Sequence, residues 1–415
     1  MHALEPLGVV FAPSDAGWDC HAVAAPIVWR DDAGYHMLYQ GWRGKSGPRL
    51  VGLAESDDGL RWQRAANEPV ITPTAGSWDE GGFEAGCLLN ISNEYHLYYS
   101  GLGPDGKFRI GLATSTDLRS WRKHPDDPIL DVGGAGAWDE RGVAFPSIHK
   151  PLTQQAGAPW RMTYGGYGER SMQIGTAFSN DGLTWEKHPQ ATFPQRGWFQ
   201  DPDCRTWDAG IEVHHMIAVG DWYVMLYEGL GSLGRYAIGA AFSPDAIVWA
   251  RSVRNPLWPL GACAVNQELS AVHPFLLQSD RLLYYVEVLQ ASASAPHRIC
   301  AARLLDDSLI DPPAQPRLDF ALWRDEEVGL EGLTSAAIPT AGFSRAAFAA
   351  AVSAPGQMEV EMDPMGLGEW QAVDRVDVGP ARVFRRCVNE ISGLVRLRLT
   401  ARRPAACSAW LSLLR

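Results

Sequence analysis

The chain has 415 residues, 46% of them apolar, with 17 Trp and a formal net charge of −12, which is enough length and apolar material for two packed domains. The acidic charge is spread along the chain with no Lys/Arg stripe to neutralise a phosphate backbone, so no nucleic-acid partner is expected. Seven Cys, at positions 20, 87, 204, 263, 300, 387 and 407, are scattered without CxxC spacing. They argue against a disulfide framework or structural zinc and read as small buried apolar side chains.

Met1 to Val10 has neither the basic start nor the apolar core of a leader, and no apolar run approaches about 18 residues. Neither export nor membrane insertion is expected, and the expected location is the cytoplasm. From there the chain repeats. The first unit comprises Trp18-Asp19, the β-like run Tyr35-His-Met-Leu-Tyr39 and Val51-Gly-Leu-Ala-Glu-Ser-Asp-Asp-Gly-Leu-Arg-Trp62. The second has Trp78-Asp79, Tyr95-His-Leu-Tyr-Tyr99 and Ile110-Gly-Leu-Ala-Thr-Ser-Thr-Asp-Leu-Arg-Ser-Trp121. The third has Trp138-Asp139, Arg161-Met-Thr-Tyr164 and a motif from Ile174 to Trp185; the fourth has Trp207-Asp208, Trp222 to Tyr227 and a motif from Ile238 to Trp249. A fifth, degraded copy runs through Leu282-Leu-Tyr-Tyr285 and Ile299 to Asp306. The Trp residues that end the motif stand 59, 64 and 64 residues apart. Four short strands per unit and five units predict an all-β fold, a five-bladed β-propeller over residues 1–311. The Asp-Gly or Asp-Leu pair reads as a hairpin turn, with the following Trp packed between blades. The Trp-Asp pairs, present in four units, read as fold residues.

At about Pro312 the period stops. In residues 312–415 a Pro/Asp-rich connector leads to Gln357-Met-Glu-Val-Glu-Met362, Trp370-Gln-Ala-Val373 and Leu394-Val-Arg-Leu-Arg-Leu399, which alternate apolar with polar residues, and to Trp410-Leu-Ser-Leu-Leu414. Period 2 predicts half-buried strands, hence a small C-terminal β-sandwich as an accessory domain.

The phrase from Ile110 to Lys123 followed by Asp127-Pro-Ile-Leu130 resembles the five-bladed β-propeller glycoside hydrolase clan that includes β-xylosidases, arabinanases, fructosidases and mannoside phosphorylases. The resemblance covers about residues 10 to 310. It implies an axial funnel with a general base in blade 1, an orienting carboxylate in blade 2 and a general acid in blade 3, since inverting cleavage needs one carboxyl to protonate the leaving oxygen and another to activate water. The base position falls on Ala25-Pro26 and the acid position on Ala144-Phe145-Pro146, so two of the three carboxylates are absent; Glu84, in Gly82-Phe-Glu-Ala-Gly86, is retained.

Residues that break the repeat are therefore the site candidates. On the innermost strands these are His21, Glu84, Arg141, Glu212, His214, His215, Glu268 and His273. The ends of the second strands differ as Gln40, Ser100, Gly165, Glu228 and Val286, and the following loops carry Trp42, Arg43, Tyr167, Arg170, Arg235 and Tyr236. Glu84, Glu212, His214 and Glu228 are the catalytic candidates. His21, Gln40, Trp42, Arg141, Tyr167, Arg170, Tyr236 and Glu268 are the substrate-binding candidates, aromatic and basic groups that suit sugar faces or an anionic group. No cofactor is required. The resemblance implies that an axial calcium could sit near His273, and imidazole with carboxylate would also suit another divalent metal. Three functions stay open, each with a small-molecule partner and no assigned oligomeric state: a glycoside-hydrolase-like enzyme with a relocated acid/base pair acting on a small intracellular sugar conjugate, a non-hydrolytic tailoring enzyme of specialised-metabolite biosynthesis (cyclisation, alkylation or group transfer), and a non-catalytic binding propeller.

Overall fold

The hairpin turn of each repeat is built by its own side chains. In the first copy the Ser56 hydroxyl accepts the Gly59 N–H at 3.0 Å, the Asp58 carboxylate accepts the N–H groups of Leu60 and Arg61 at 2.8 Å each, and the Trp62 indole donates to the Gly59 carbonyl at 3.0 Å. The same set recurs at Ser115, Ser179 and Ser243. The turn residue after the Asp is left-handed in every copy: Gly59 at φ 72°, Leu118 at 63°, Gly182 at 76° and Ala246 at 63°. Trp62 then meets Tyr284 edge-on at 6.2 Å and Trp185 meets Tyr98 at 6.4 Å, each on another repeat.

The computed structural model describes the chain apart from residues 1–2, 45–46, 125–126, 153–157, 170–171, 194–206, 232–233, 259–268, 290–295 and 381. The described residues are all-β save three 3-10 turns, and they contain no helix long and apolar enough to cross a membrane. The repeats form five four-stranded sheets. The first holds Ala22–Asp31, Gly34–Trp42, Leu50–Ser56 and Gln63–Arg64; the second Phe83–Ile91, Glu94–Leu102, Phe108–Ser115 and Arg122–Lys123; the third Gly142–His149, Trp160–Tyr167, Met172–Ser179 and Glu186–Lys187. The fourth holds Gly210–Val219, Trp222–Leu230, Tyr236–Ser243 and Ala250–Arg251. The fifth takes Leu269–Leu277, Leu282–Leu289 and Arg298–Leu304 from its own repeat and its outer strand, Leu4–Phe11, from the start of the chain. That strand pairs antiparallel from Leu4↔Leu304 to Phe11↔Ile299. The degraded fifth repeat lacks the motif's Trp, and the N-terminal strand covers the edge left open there.

The Trp-Asp pairs have a structural role. Asp19, Asp79, Asp139 and Asp208 are all buried. They accept the hydroxyls of Tyr39, Tyr99, Tyr164 and Tyr227 at 3.0, 3.0, 3.2 and 2.9 Å. The first three also meet Arg64, Lys123 and Lys187 at 2.7, 2.6 and 2.7 Å. Each Trp lies on the same Tyr, with centroids 5.3 to 5.7 Å apart. The Trp needs a glycine beneath it: a Cβ on Gly101 would come within 2.5 Å of the Trp78 ring.

The chain divides into two compact units, one of Met1–Ile217, Met225–Ala240 and Pro256–Asp306, the other of Ala218–Val224, Ala241–Asn255 and Asp307–Arg415. Within the second unit, strands Arg317–Val328, Ala405–Leu414, Arg345–Val352 and Phe384–Asn389 form one sheet, and a second sheet is built on Leu394–Ala401, Gly356–Asp363 and Gln371–Val378. Burial alternates along them, with Phe320, Phe348, Leu411 and Leu413 from one sheet and Met358, Val360, Leu397 and Leu399 from the other at 1% exposure or less. Trp222, the first residue of Trp222–Leu230 and itself within this unit, stacks on Phe320 at 6.1 Å. Of the described cysteines, Cys300 and Cys407 are buried, Cys20 and Cys87 are half-buried, and Cys387 is exposed, contrary to the buried reading, because its edge strand packs on one side only.

Candidate active site

The first strands of the first, second, third and fifth sheets each carry a break in register. Three carry a Pro, which cannot donate to the ladder: Ala25-Pro26, Phe145-Pro146 and His273-Pro274. The register skips each pair, from Ala24↔Gln40 to Ile27↔Leu38, from Ala144↔Gly165 to Ser147↔Thr163, and from Val272↔Val286 to Phe275↔Tyr284. Ala25, Phe145 and His273 have φ of 48°, 55° and 51°, a strained conformation costing about 1–3 kcal/mol each. Such bulges re-aim side chains, and those of Phe145 and His273 face each other edge-on at 6.4 Å.

The N–H groups freed at the bulges are taken up by side chains of a neighbouring sheet. The Ser100 hydroxyl accepts the Phe145 N–H at 2.8 Å, and Glu228 Oε2 accepts the His273 N–H at 3.1 Å. Ser100 and Glu228 hold the same place in their repeats. Gln40 holds it in the first, and its amide donates to the Phe83 carbonyl and, at 3.2 Å, to Glu84 Oε2.

Glu84, buried to 8% exposure, is ion-paired with Arg49, whose side chain is 44% exposed. The pairing is set by the backbone: the Phe83 N–H donates to the Arg49 carbonyl at 3.0 Å and Arg49 bridges Gly82. Gly82 has φ 116°, and a Cβ there would lie 2.8 Å from the Arg49 nitrogen, so only glycine permits this approach. Arg49 also lies over the Trp42 ring at 5.2 Å, and the same ring meets His297 at 5.4 Å and His21 at 6.5 Å.

Glu212, partly exposed, accepts the Tyr167 hydroxyl. Burial holds its carboxyl above the ordinary range against the opposing effects of Tyr167 and Arg49. Glu228, 4% exposed, is held well above that range by burial and by the nearby Glu212. The Tyr236 hydroxyl is pushed up to about 12 by burial, Glu228 and Glu212. Burial keeps the imidazoles neutral: His273 is pushed down to about 3, with Arg49 adding to the effect, and His214 to about 4.

These groups can hold one carboxylate beside a cation and a second carboxyl in protonated form, with an indole, a phenol and imidazoles packed around them. Environments that separate two carboxyls in this way set up an acid and a base.

No protein-family model matches the chain. An uncharacterised protein of Mycobacterium tuberculosis is 28% identical over 268 residues, 60% of this chain and 82% of its own length. An insoluble β-fructofuranosidase isoenzyme of Arabidopsis thaliana is 27% identical over 167 residues, 38% of this chain and 27% of that enzyme. Among solved structures, a glycoside hydrolase superposes with a TM-score of 0.55 at 21% identity, over 72% of this chain and 92% of its own. A structure from the GH130 family of mannoside phosphorylases, a family that contains glycoside hydrolases targeting β-1,2 mannosidic linkages in Candida mannan, gives 0.52 at 18%, over 72% and 92%. The fold is that of the propeller glycoside hydrolases.

In this propeller the two alanines at the implied base and acid positions are buried in the bulged strands, Ala25 at 6% and Ala144 at 0% exposure. The structure brings together Gln40, Trp42, Glu84, Tyr167, Glu212, Glu228, Tyr236 and His273, with His21 beside Trp42. It does not bring in His214 as a free base: its Nδ1–H donates to the Glu212 carbonyl at 3.2 Å, leaving Nε2 to accept the Thr163 hydroxyl at 2.8 Å. His215 turns to Phe275 at 4.1 Å. The Arg141 side chain is exposed, and only its backbone N–H reaches Tyr167. Arg170 and Glu268 lie outside the described residues.

A cation at His273 finds little to hold it. His273 Nδ1 is buried without a hydrogen-bond partner among the described residues, but the charge bearing on the ring is the Arg49 guanidinium. No group of three His, Cys, Asp or Glu among the described residues is placed for a metal ion. These residues do not fit a resident divalent ion.

Arg49 and His297 are the site residues missing from the sequence reading. A signal existed: two residues before the Val/Ile that opens each third-strand motif stand Arg49, Phe108, Met172, Tyr236 and His297. This column varies as freely as the two columns that supplied the candidates.

Proposed function

We propose that the chain is a sugar-processing enzyme that splits a glycosidic bond of a small sugar conjugate at this site, with Glu212 as proton donor and Glu84 as the carboxylate that activates the attacking water. The observation that supports it is the unequal setting of the two carboxyls, Glu84 ion-paired with Arg49, and Glu212 raised by burial although Arg49 bears on it as well. As the bond from the anomeric carbon to the leaving oxygen breaks, Glu212 gives its proton to that oxygen. Water adds to the anomeric carbon and passes a proton to Glu84. The half-buried Tyr167 ring offers an apolar edge for the sugar and orients the acid, while the buried Trp42 ring backs Arg49.

The test is turnover of a panel of aryl fructosides, mannosides, xylosides and arabinosides by the full chain and by Glu212→Gln and Glu84→Gln. Each substitution is expected to lower kcat by about 10²–10⁴-fold. The alkaline limb of the wild-type profile should lie above the range of an ordinary carboxyl, since Glu212 must be protonated to act. Wild-type rates in both variants would remove the proposal. The buried methyl groups of Ala25 and Ala144, where the resemblance implies carboxylates, favour a second reading in which the acceptor is not water. That reading predicts that, with a second substrate molecule as acceptor, the same assay yields aryl alcohol and a lengthened glycoside in place of free sugar.

A further inference from the structure

The sheet of Arg317–Val328, Ala405–Leu414, Arg345–Val352 and Phe384–Asn389 has one face in the core and one open. On the open face a row crosses all four strands, Ala321 beside Trp410, Trp410 beside Ala349 and Ala349 beside Arg385. Large apolar side chains are rare on such a face, yet Trp410 is 41% exposed. Its cross-strand neighbours are alanines, so the indole rises from a floor of methyl groups, and the surrounding groove encloses ≈900 Å³. The groove is lined by four arginines, Arg317, Arg324, Arg385 and Arg386, and one carboxylate, Asp319, on a chain whose net charge is −12. Arg317 is bound to Asp319 at 2.7 Å and Arg386 to Asp374 at 3.3 Å. Among the described residues no carboxylate pairs with Arg324 or Arg385.

We propose that this groove binds an acidic, uronate-bearing oligosaccharide, with a sugar ring on the Trp410 indole and sugar carboxylates on Arg324 and Arg385. The guanidinium fork matches a carboxylate in two parallel hydrogen bonds, and the indole offers an apolar surface with a polar edge. Four strands at about 4.8 Å spacing make the row roughly 14 Å across, room for a short oligosaccharide. A peptide strand is the weaker occupant, because the backbone of Ala405–Leu414 is already paired on both sides, with Arg317–Val328 and with Arg345–Val352, and leaves no ladder to extend. A nucleic-acid backbone would need a longer track of unpaired cations. The proposal stands apart from the chemistry of Glu84 and Glu212.

The test is calorimetric titration of the full chain with oligogalacturonides, neutral manno-oligosaccharides and oligo-dT, followed by size-exclusion chromatography. Trp410→Ala, and separately Arg324→Ala with Arg385→Ala, should weaken oligogalacturonide binding by about tenfold or more. Trp410→Phe should keep most of it, and added salt should weaken it. The thermal midpoint of each variant checks folding, and the arginine pair provides a second, independent lesion. Unchanged binding in Trp410→Ala would overturn the proposal. So would equal binding of neutral sugar or oligo-dT, or a wild-type dimer that Trp410→Ala dissociates, which would make the face an interface between copies.

Discussion

Glu228 shows how one side chain can serve backbone and chemistry together. It accepts the His273 N–H at the bulge, as Ser100 does for Phe145, and its carboxyl stays protonated well above the ordinary range. In the unfolded chain the same carboxyl ionises near an ordinary value of about 4.3. Above that pH the unfolded state has lost a proton that the folded state keeps, so stability falls as pH rises towards the folded pKa. Glu228→Gln keeps an acceptor for His273 and removes this slope. In urea titrations the variant should therefore gain on wild type between pH 5 and pH 8; a gap independent of pH would contradict a protonated Glu228. Glu228→Ala leaves the His273 N–H unpaired and should cost about 1–3 kcal/mol. His214 and His273 act with the opposite sign: neutral in the fold, pushed down to about 4 and about 3, they favour the folded state above their ordinary 6.5 and lose that effect as pH falls towards those values. Glu84, Glu212 and Glu228 stood out in the sequence because they break a repeat. That Glu228 caps a bulge did not, because its partner is a backbone N–H some 45 residues away.

The Ser-x-Asp turn was readable as a turn because every hydrogen bond in it spans three residues or fewer. Its left-handed residue is glycine in two copies, but Leu118 and Ala246 in the others, at φ 63° each. A non-glycine residue there costs about 1–2 kcal/mol. Ala246→Gly should therefore raise stability by up to about 1 kcal/mol after loss of one buried methyl group, seen as a higher denaturant midpoint with an unchanged slope. A lower midpoint would show that the Ala246 methyl group packs more tightly than the turn is strained. The bulges are written in the sequence as Ala-Pro, Phe-Pro and His-Pro, but along the chain the first two point only to missing catalytic carboxylates and the third only to a histidine near an axial metal. Their backbone role emerged with the skipped register.

The fifth sheet is completed by the strand Leu4–Phe11, which joins the two ends of the repeat array. Deleting residues 3–11 would expose the edge of Arg298–Leu304 and remove Leu4 and Phe11, both 4% exposed, from the core. The truncated chain should melt at lower temperature and self-associate on size-exclusion chromatography; a monomer with the wild-type midpoint would show that the strand is dispensable. No local pattern in Met1 to Val10 predicts this pairing, since its partner strand begins near residue 298.

The sequence by itself determined the all-β class, the repeat with its self-contained turns, the period-2 strands after Pro312 and the carboxyls that interrupt the pattern, because each of these is encoded within a few residues. Tertiary structure alone decided that Arg49 stands against Glu84, that Tyr167 reaches Glu212, that His214 is consumed by Thr163 and a carbonyl, and that Trp410 is flanked by alanines on both sides. Those facts join residues from different sheets or strands, where the register and the bulges, rather than the spacing along the chain, set which side chains meet.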